Sequence, residues 1–145
     1  MAGFLNIRVQ GQQELEQRLA GLGQAVNPTI IADEAGALIF NRIRTRFLRQ
    51  VNSEGQAWKP SLAAQERALT GRGGGTLYDT GNLFRSIQLH AAGANAREIS
   101  TDVPYGVYHN LGLGRNPRRE FLGIGEEDIH LSERLVLMRI LRALQ

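Results

Sequence analysis

The sequence predicts an α+β fold, a small and mainly antiparallel sheet packed by two long helices and several short ones. Three observations lead to it. Apolar residues recur at helical spacing in long stretches, with Ala35, Ile39, Ile43, Phe47 and Val51 at every fourth position. Short runs with partial alternation, such as 3–10 and 97–103, read as strands. These strands do not alternate regularly with helices, which disfavours a parallel doubly wound sheet. A chain of 145 residues fits one domain over 1–145 and is long enough to bury a sizeable core.

In chain order, Phe4, Ile7 and Val9 mark a first strand over 3–10, and Gly11 ends it. Leu15, Leu19 and Leu22 give a helix over 13–26, interrupted by Pro28. A second helix is expected over 29–51. Beside its apolar stripe, Arg42, Arg46 and Arg49 fall at i, i+4 and i+7 and form one basic edge, suited to phosphates, to carboxylates of a neighbouring subunit, or simply to water. Residues 52–60 are turn-rich, and the lone Trp58 there reads either as a core plug or as an anchor facing a partner.

Ser61 is placed to cap a short helix through Leu69, and residues 70–76, with three consecutive glycines, read as a flexible loop. That loop lacks the Gly-Lys-Ser/Thr ending of a phosphate cradle, and no apolar strand leads into it. Asp79 or Thr80 is expected to cap a helix carrying Leu83, Phe84 and Ile87. Strands over 87–92 and 97–103 follow, joined by a turn at 93–96. Tyr105, Tyr108 and Leu111 share one face of a short helix between Pro104 and Gly112, and residues 118–123 read as a brief strand or extended segment returning to the sheet. Glu126, Glu127 and Asp128 open a terminal helix whose later half carries Arg134, Arg139 and Arg142, the charge order that suits the helix dipole. Its apolar residues, Leu137 and Leu141 among them, are too many for one stripe, so it is expected to bury one face on its own sheet and one on another subunit.

Composition narrows the function classes. With 42% hydrophobic and 21% charged residues the chain is an ordinary globular one. No stretch approaches the ~18 consecutive apolar residues of a membrane span, and Met1-Ala2-Gly3-Phe4 lacks the basic start of a secretory signal, so a soluble protein without a membrane partner is expected. The absence of cysteine removes disulfides, a thiolate nucleophile and cysteine metal sites. Of 17 basic residues only Lys59 is a lysine, and the rest are arginine, whose planar guanidinium suits bidentate contacts at interfaces as well as nucleic acid. His90, His109 and His130 lie in different predicted elements and form no metal-binding pair, and no Gly-x-Ser-x-Gly elbow is present. Neither catalysis nor a cofactor is expected.

Four blocks stand out in order: a Gly-flanked Trp58, Leu77-Tyr78-Asp79-Thr80-Gly81-Asn82-Leu83, Tyr105-Gly106-Val107-Tyr108-His109-Asn110-Leu111-Gly112, and Pro117-Arg118-Arg119-Glu120-Phe121-Leu122-Gly123. Together, from about Phe47 to about Leu135, they resemble the virion morphogenesis or tail-completion family of Mu-like tailed bacteriophages. The resemblance implies a structural component of the phage neck that completes the tail or joins it to the head. It further implies a ring around the DNA channel, hexameric by analogy, that touches the head connector or adaptor and the tail-tube or tail-terminator proteins. Such a protein sits in the virion and is assembled in the host cytoplasm. Thr80, Gly81, Leu83, Tyr105, His109, Gly112, Phe121 and Gly123 are the positions carried over as motif scaffold. Arg119 is the one expected to make a charge-assisted contact across subunits, with Arg118 sharing or taking that role. With Arg42, Arg46, Arg49, Trp58, Leu137 and Leu141 these two arginines form the candidate interface. Non-specific proximity to DNA is a further expectation, and the alternative is a small basic nucleic-acid-binding module, suggested by a pI of about 9.9 and a net charge of +3, although no helix-turn-helix or aromatic-basic stacking motif appears.

Overall fold

The computed structural model describes residues 5–9 and 27–143. The helix expected over 13–26 lies outside the described residues. The elements in order are β1 (Leu5–Val9), α1 (Pro28–Arg49), α2 (Leu62–Leu69), α3 (Asn82–Ser86), β2 (Gln88–Ala91), β3 (Arg97–Thr101), α4 (Gly106–Leu111) and α5 (Glu126–Ala143). The strands form one antiparallel sheet in the order β1-β3-β2, with Ile7 and Leu89 both opposite Ile99. The expected α+β architecture is the one observed.

α1 is the spine. Asn27 caps it by accepting from the Thr29 N–H at 2.9 Å, and Pro28 sits where no N–H is needed. It ends at Gln50, held at φ 61°, whose side-chain amide donates to the Phe47 and Thr76 carbonyls. Its stripe Ala35, Ile39, Ile43 and Phe47 is buried, as the fourfold spacing predicts. Gly36, in mid-helix, lets β3 come close: a Cβ there would stand 3.1 Å from the Arg97 side chain.

Phe47, fully buried, gathers one or more rings from three of the sequence blocks. Trp58 lies 5.3 Å away centroid to centroid, Phe84 5.4 Å, Phe121 5.7 Å and Tyr78 6.5 Å, mostly in edge-on geometries that suit aromatic quadrupoles. Trp58 is therefore a core plug, and its indole N–H donates to the Glu120 carbonyl at 3.0 Å. This corrects its assignment as a partner-facing anchor.

Antiparallel to α1 runs α5, tied to it by ion pairs at both ends. Arg139 grips Glu34 at 2.6 and 2.8 Å near one end. Near the other, Asp128, with no exposed surface, accepts from Arg46 at 2.6 and 2.8 Å, from Arg42, and from the Gly125 N–H at 2.8 Å. The last bond is half of a capping box, with Gly125 as cap and Asp128 at the third helical position.

Two local expectations are corrected. α3 is capped by Gly81, at φ 80°, without a side-chain bond; Asp79 instead pairs with Arg72 at 3.3 Å. Thr80 is exposed and only reaches the Asn82 N–H at 3.4 Å. Residues 118–123 form no strand, bend at Leu122 and join no sheet. Their backbone groups are satisfied by side chains and loops, which gives a buried segment an alternative to a strand partner.

Candidate functional site

The irregular segment 118–123 is where the four sequence blocks meet. The Arg119 N–H donates to the His109 carbonyl at 2.8 Å, and the Phe121 and Leu122 N–H groups both donate to Asn110 Oδ1, at 2.9 and 2.8 Å. Asn110 Nδ2 returns a bond to the Leu122 carbonyl at 3.2 Å. Arg46 donates to the Gly123 carbonyl at 2.7 Å, and Glu120 Oε1 accepts the Ser53 N–H at 3.1 Å. The buried Asn110 is thus a clamp that sequence reasoning passed over. Its only signal was a polar residue beside the short helix's apolar positions.

Gly112 explains the spacing between the last two blocks. It ends α4 in the left-handed region at φ 67°, where the Gly112 and Leu113 N–H groups close on the Tyr108 carbonyl. A Cβ on Gly112 would stand 2.8 Å from the Arg118 nitrogen, so only glycine lets 118 pass. A Cβ on Gly123 would instead meet the Glu120 carboxylate, the end of a side chain and not backbone.

Of the candidate interface residues, three are turned inward. Arg46 is 8% exposed and carries the Asp128 pair, which corrects the reading of 42, 46 and 49 as one free basic edge. Arg42 is shared between Asp128 and Glu127, and Arg49 alone of the three is exposed without such a pair among the described residues. Arg119 is 5% exposed, and its Nε donates to the Lys59 carbonyl at 2.7 Å. Arg118 stays at the surface, 2.9 Å from Glu120. Leu137 and Leu141 face outward on α5 at 54% and 47% exposure, with Met138 beside them and Ile129 exposed two turns earlier. Tyr105, Tyr108 and Leu111 are also exposed, so the shared face of α4 points to solvent, joined by Leu113.

Beneath that face a cavity of about 250 Å³ opens between α2, the 77–83 stretch and α4, with Arg67, Asp79, Tyr105, His109 and Arg119 in its wall. His109 stacks edge-on with Tyr105 at 6.2 Å. Burial and then the positive charge of Arg119 hold its imidazole below the usual histidine range. His109 Nδ1 is buried and has no hydrogen-bond partner among the described residues. Leu77, also in the wall, is held at φ 64°, a strained conformation for a leucine. Thr80, Gly81 and Leu83 complete the neighbourhood, Leu83 and Gly81 buried and Thr80 exposed. His90 and His130 stand apart and exposed. Among the described residues no group of three His, Cys, Asp or Glu side chains is arranged to hold a metal, and no helix is long and apolar enough to cross a membrane.

A sequence model of the phage virion morphogenesis family matches residues 10–142. No curated protein and no solved structure matches the chain.

Proposed function

We propose, from the premise that this chain belongs to the phage virion morphogenesis family, that it works in the neck of a Mu-like tailed phage as a ring-forming tail-completion or head-tail joining protein. Membership makes it a virion structural or assembly protein; the neck position, the ring and its neighbours are the further reading. The protein acts by binding, its copies closing around the DNA channel, hexameric in our reading, and contacting the connector on one side and the tail-tube or terminator proteins on the other.

The observation that carries this reading is the outward apolar face of α5. Ile129, Leu137, Met138 and Leu141 are each about half exposed, on a helix whose inner side is already locked to α1. Leu137, Met138 and Leu141 lie within about one turn of one another, and an apolar patch on a well-anchored helix is what subunit contacts use. The exposed aromatic face of α4 supplies a second, separate surface, which a heterologous ring contact needs. Of the candidate interface arginines, Arg118 and Arg49 are exposed and available for the rim, while Arg46, Trp58 and Arg119 hold the scaffold. The 70–76 loop, exposed over most of its length, is suited to ordering against a neighbouring copy.

The deciding experiment is light scattering of the purified protein alongside electron microscopy of the virion. A closed oligomer with matching density at the neck is expected. A strictly monomeric protein missing from mature particles sinks the reading.

A further inference from the structure

Three arginines of the described residues are almost wholly buried, and two of them face a carboxylate. Arg46 has Asp128 at 2.6 Å and Arg97 has Asp33 at 2.6 Å. Arg119 has none among the described residues. Its single hydrogen bond there is the one from Nε to a backbone carbonyl, and burial pushes its pKa down. A guanidinium withdrawn from water without a counter-charge is costly, and such groups are ordinarily paired.

The wall around it repeats the imbalance. Among the described residues, His109 Nδ1 and Arg67 Nε are both buried and without hydrogen-bond partners. Asp79, the acid in the same wall, stands 3.8 Å from Arg67 Nε, too long for a hydrogen bond, and its half-exposed side chain also serves Arg72. Strain collects here too, at Leu77, and strained backbone is found where a ligand is held. Ala63, Leu77 and Leu83 give the wall an apolar part, beside the uncharged polar Ser61, Thr80 and Asn82.

We propose that this cavity binds a carboxylate carried on a short aliphatic stem, with Arg119 as its counter-charge, His109 and Arg67 as flanking partners, and the apolar part of the wall covering the stem. A guanidinium that is 5% exposed is reached by a single side-chain-sized group entering the cavity. It is not reached by the regularly spaced phosphates of a duplex. The carboxylate has two sources: a glutamate or aspartate side chain of another copy of this chain, or a free aliphatic acid. The proposal is independent of the ring, since the cavity lies within one chain.

The test is NMR of the full-length protein, following the Arg119 Nε–H resonance and the His109 imidazole while propionate, inorganic phosphate or a short DNA duplex is added. Propionate is expected to move both resonances saturably. It is also expected to raise the His109 pKa, because neutralising Arg119 removes one of the two influences that depress it; the ionisable groups around that imidazole are Arg119, Arg67, Asp79 and Tyr105. Arg119→Met is expected to weaken propionate roughly tenfold or more, and Arg67→Gln, which leaves the bond from Arg119 to Lys59 in place, by a smaller factor. If Arg119→Met fails to fold, Arg67→Gln decides, and unchanged affinity there overturns the proposal. So does the absence of a saturable shift with propionate, or a response to phosphate or DNA alone. Movement of the same resonances with protein concentration, reversed by propionate, assigns the carboxylate to a second copy. Binding that ignores protein concentration assigns it to a free acid.

Discussion

At the scale of single residues, Asp128 is the decisive one. It is fully buried and ionised, because Arg42, the Gly125 N–H and Arg46 together outweigh the burial that would otherwise raise its pKa, and hold it below the usual carboxylate range. Asp128→Asn keeps the shape but leaves Arg46 charged, buried and unpaired. We expect a loss of about 3–5 kcal/mol in urea denaturation, most of it from that stranded guanidinium. A loss near the surface-pair range, below about 1 kcal/mol, would mean that solvent already screens the site.

The same residue sets the acid limit of stability. With its folded pKa below the unfolded value, Asp128 contributes stability that is fully present above the ordinary carboxylate pKa and is lost as pH falls through that value toward the folded one. His109, also depressed, binds a proton less readily folded than unfolded, so it begins to subtract stability once pH drops below its ordinary value of about 6.5. Unfolding free energy should therefore decline in two stages on acidification, first with the histidine and then with the carboxylate. His109→Gln is expected to flatten the first stage and leave the second. Parallel profiles for the two proteins would show that the imidazole is not shifted.

Among the elements, the irregular segment 118–123 is held by turns and clamps rather than by a ladder, and Gly112 tests that. Gly112→Ala introduces both left-handed strain and a collision with the Arg118 backbone, whereas Gly55→Ala introduces strain at φ 80° with nothing within 4 Å. Strain alone is worth roughly 1–3 kcal/mol at either site. Gly112→Ala should lower the urea midpoint distinctly more than Gly55→Ala, because it also displaces 118–123 from Asn110. Equal losses would mean that the segment is indifferent to the turn.

This scale also marks what the sequence made legible. The helix over 29–51, the hairpin strands and the charge-ordered terminal helix were readable because period and capping are local. Ser61 as a cap was readable for the same reason; its hydroxyl accepts the Ala64 N–H at 3.1 Å. The partners of Arg42 and Arg46 were not, since Asp128 is more than eighty positions away and its acidic triplet was fully accounted for by the helix dipole. Likewise Arg119 and Trp58 gave no sign of which way they face. Both bond backbone carbonyls in each other's segment, Lys59 and Glu120, and a carbonyl acceptor has no sequence signature.

For the whole molecule, the question is what the outer face of α5 is for. Leu137 and Leu141 lie one turn apart, outward, on a helix secured on its other side by the Arg46–Asp128 and Arg139–Glu34 pairs and by the buried Val136. Replacing both with glutamate removes apolar surface that the isolated chain leaves in water, so the unfolding free energy of the monomer should change by no more than about 0.5 kcal/mol for each. If copies of the chain pack through that face, the same double variant should shift the mass measured by light scattering to that of a single chain. An apolar contact of this kind also holds or strengthens as salt is raised, while attraction to phosphates weakens steeply. The two behaviours separate subunit packing from DNA binding on one sample. A double variant that still assembles, or an assembly that dissolves as salt rises, would move the contact from this helix to the arginine-bearing rim.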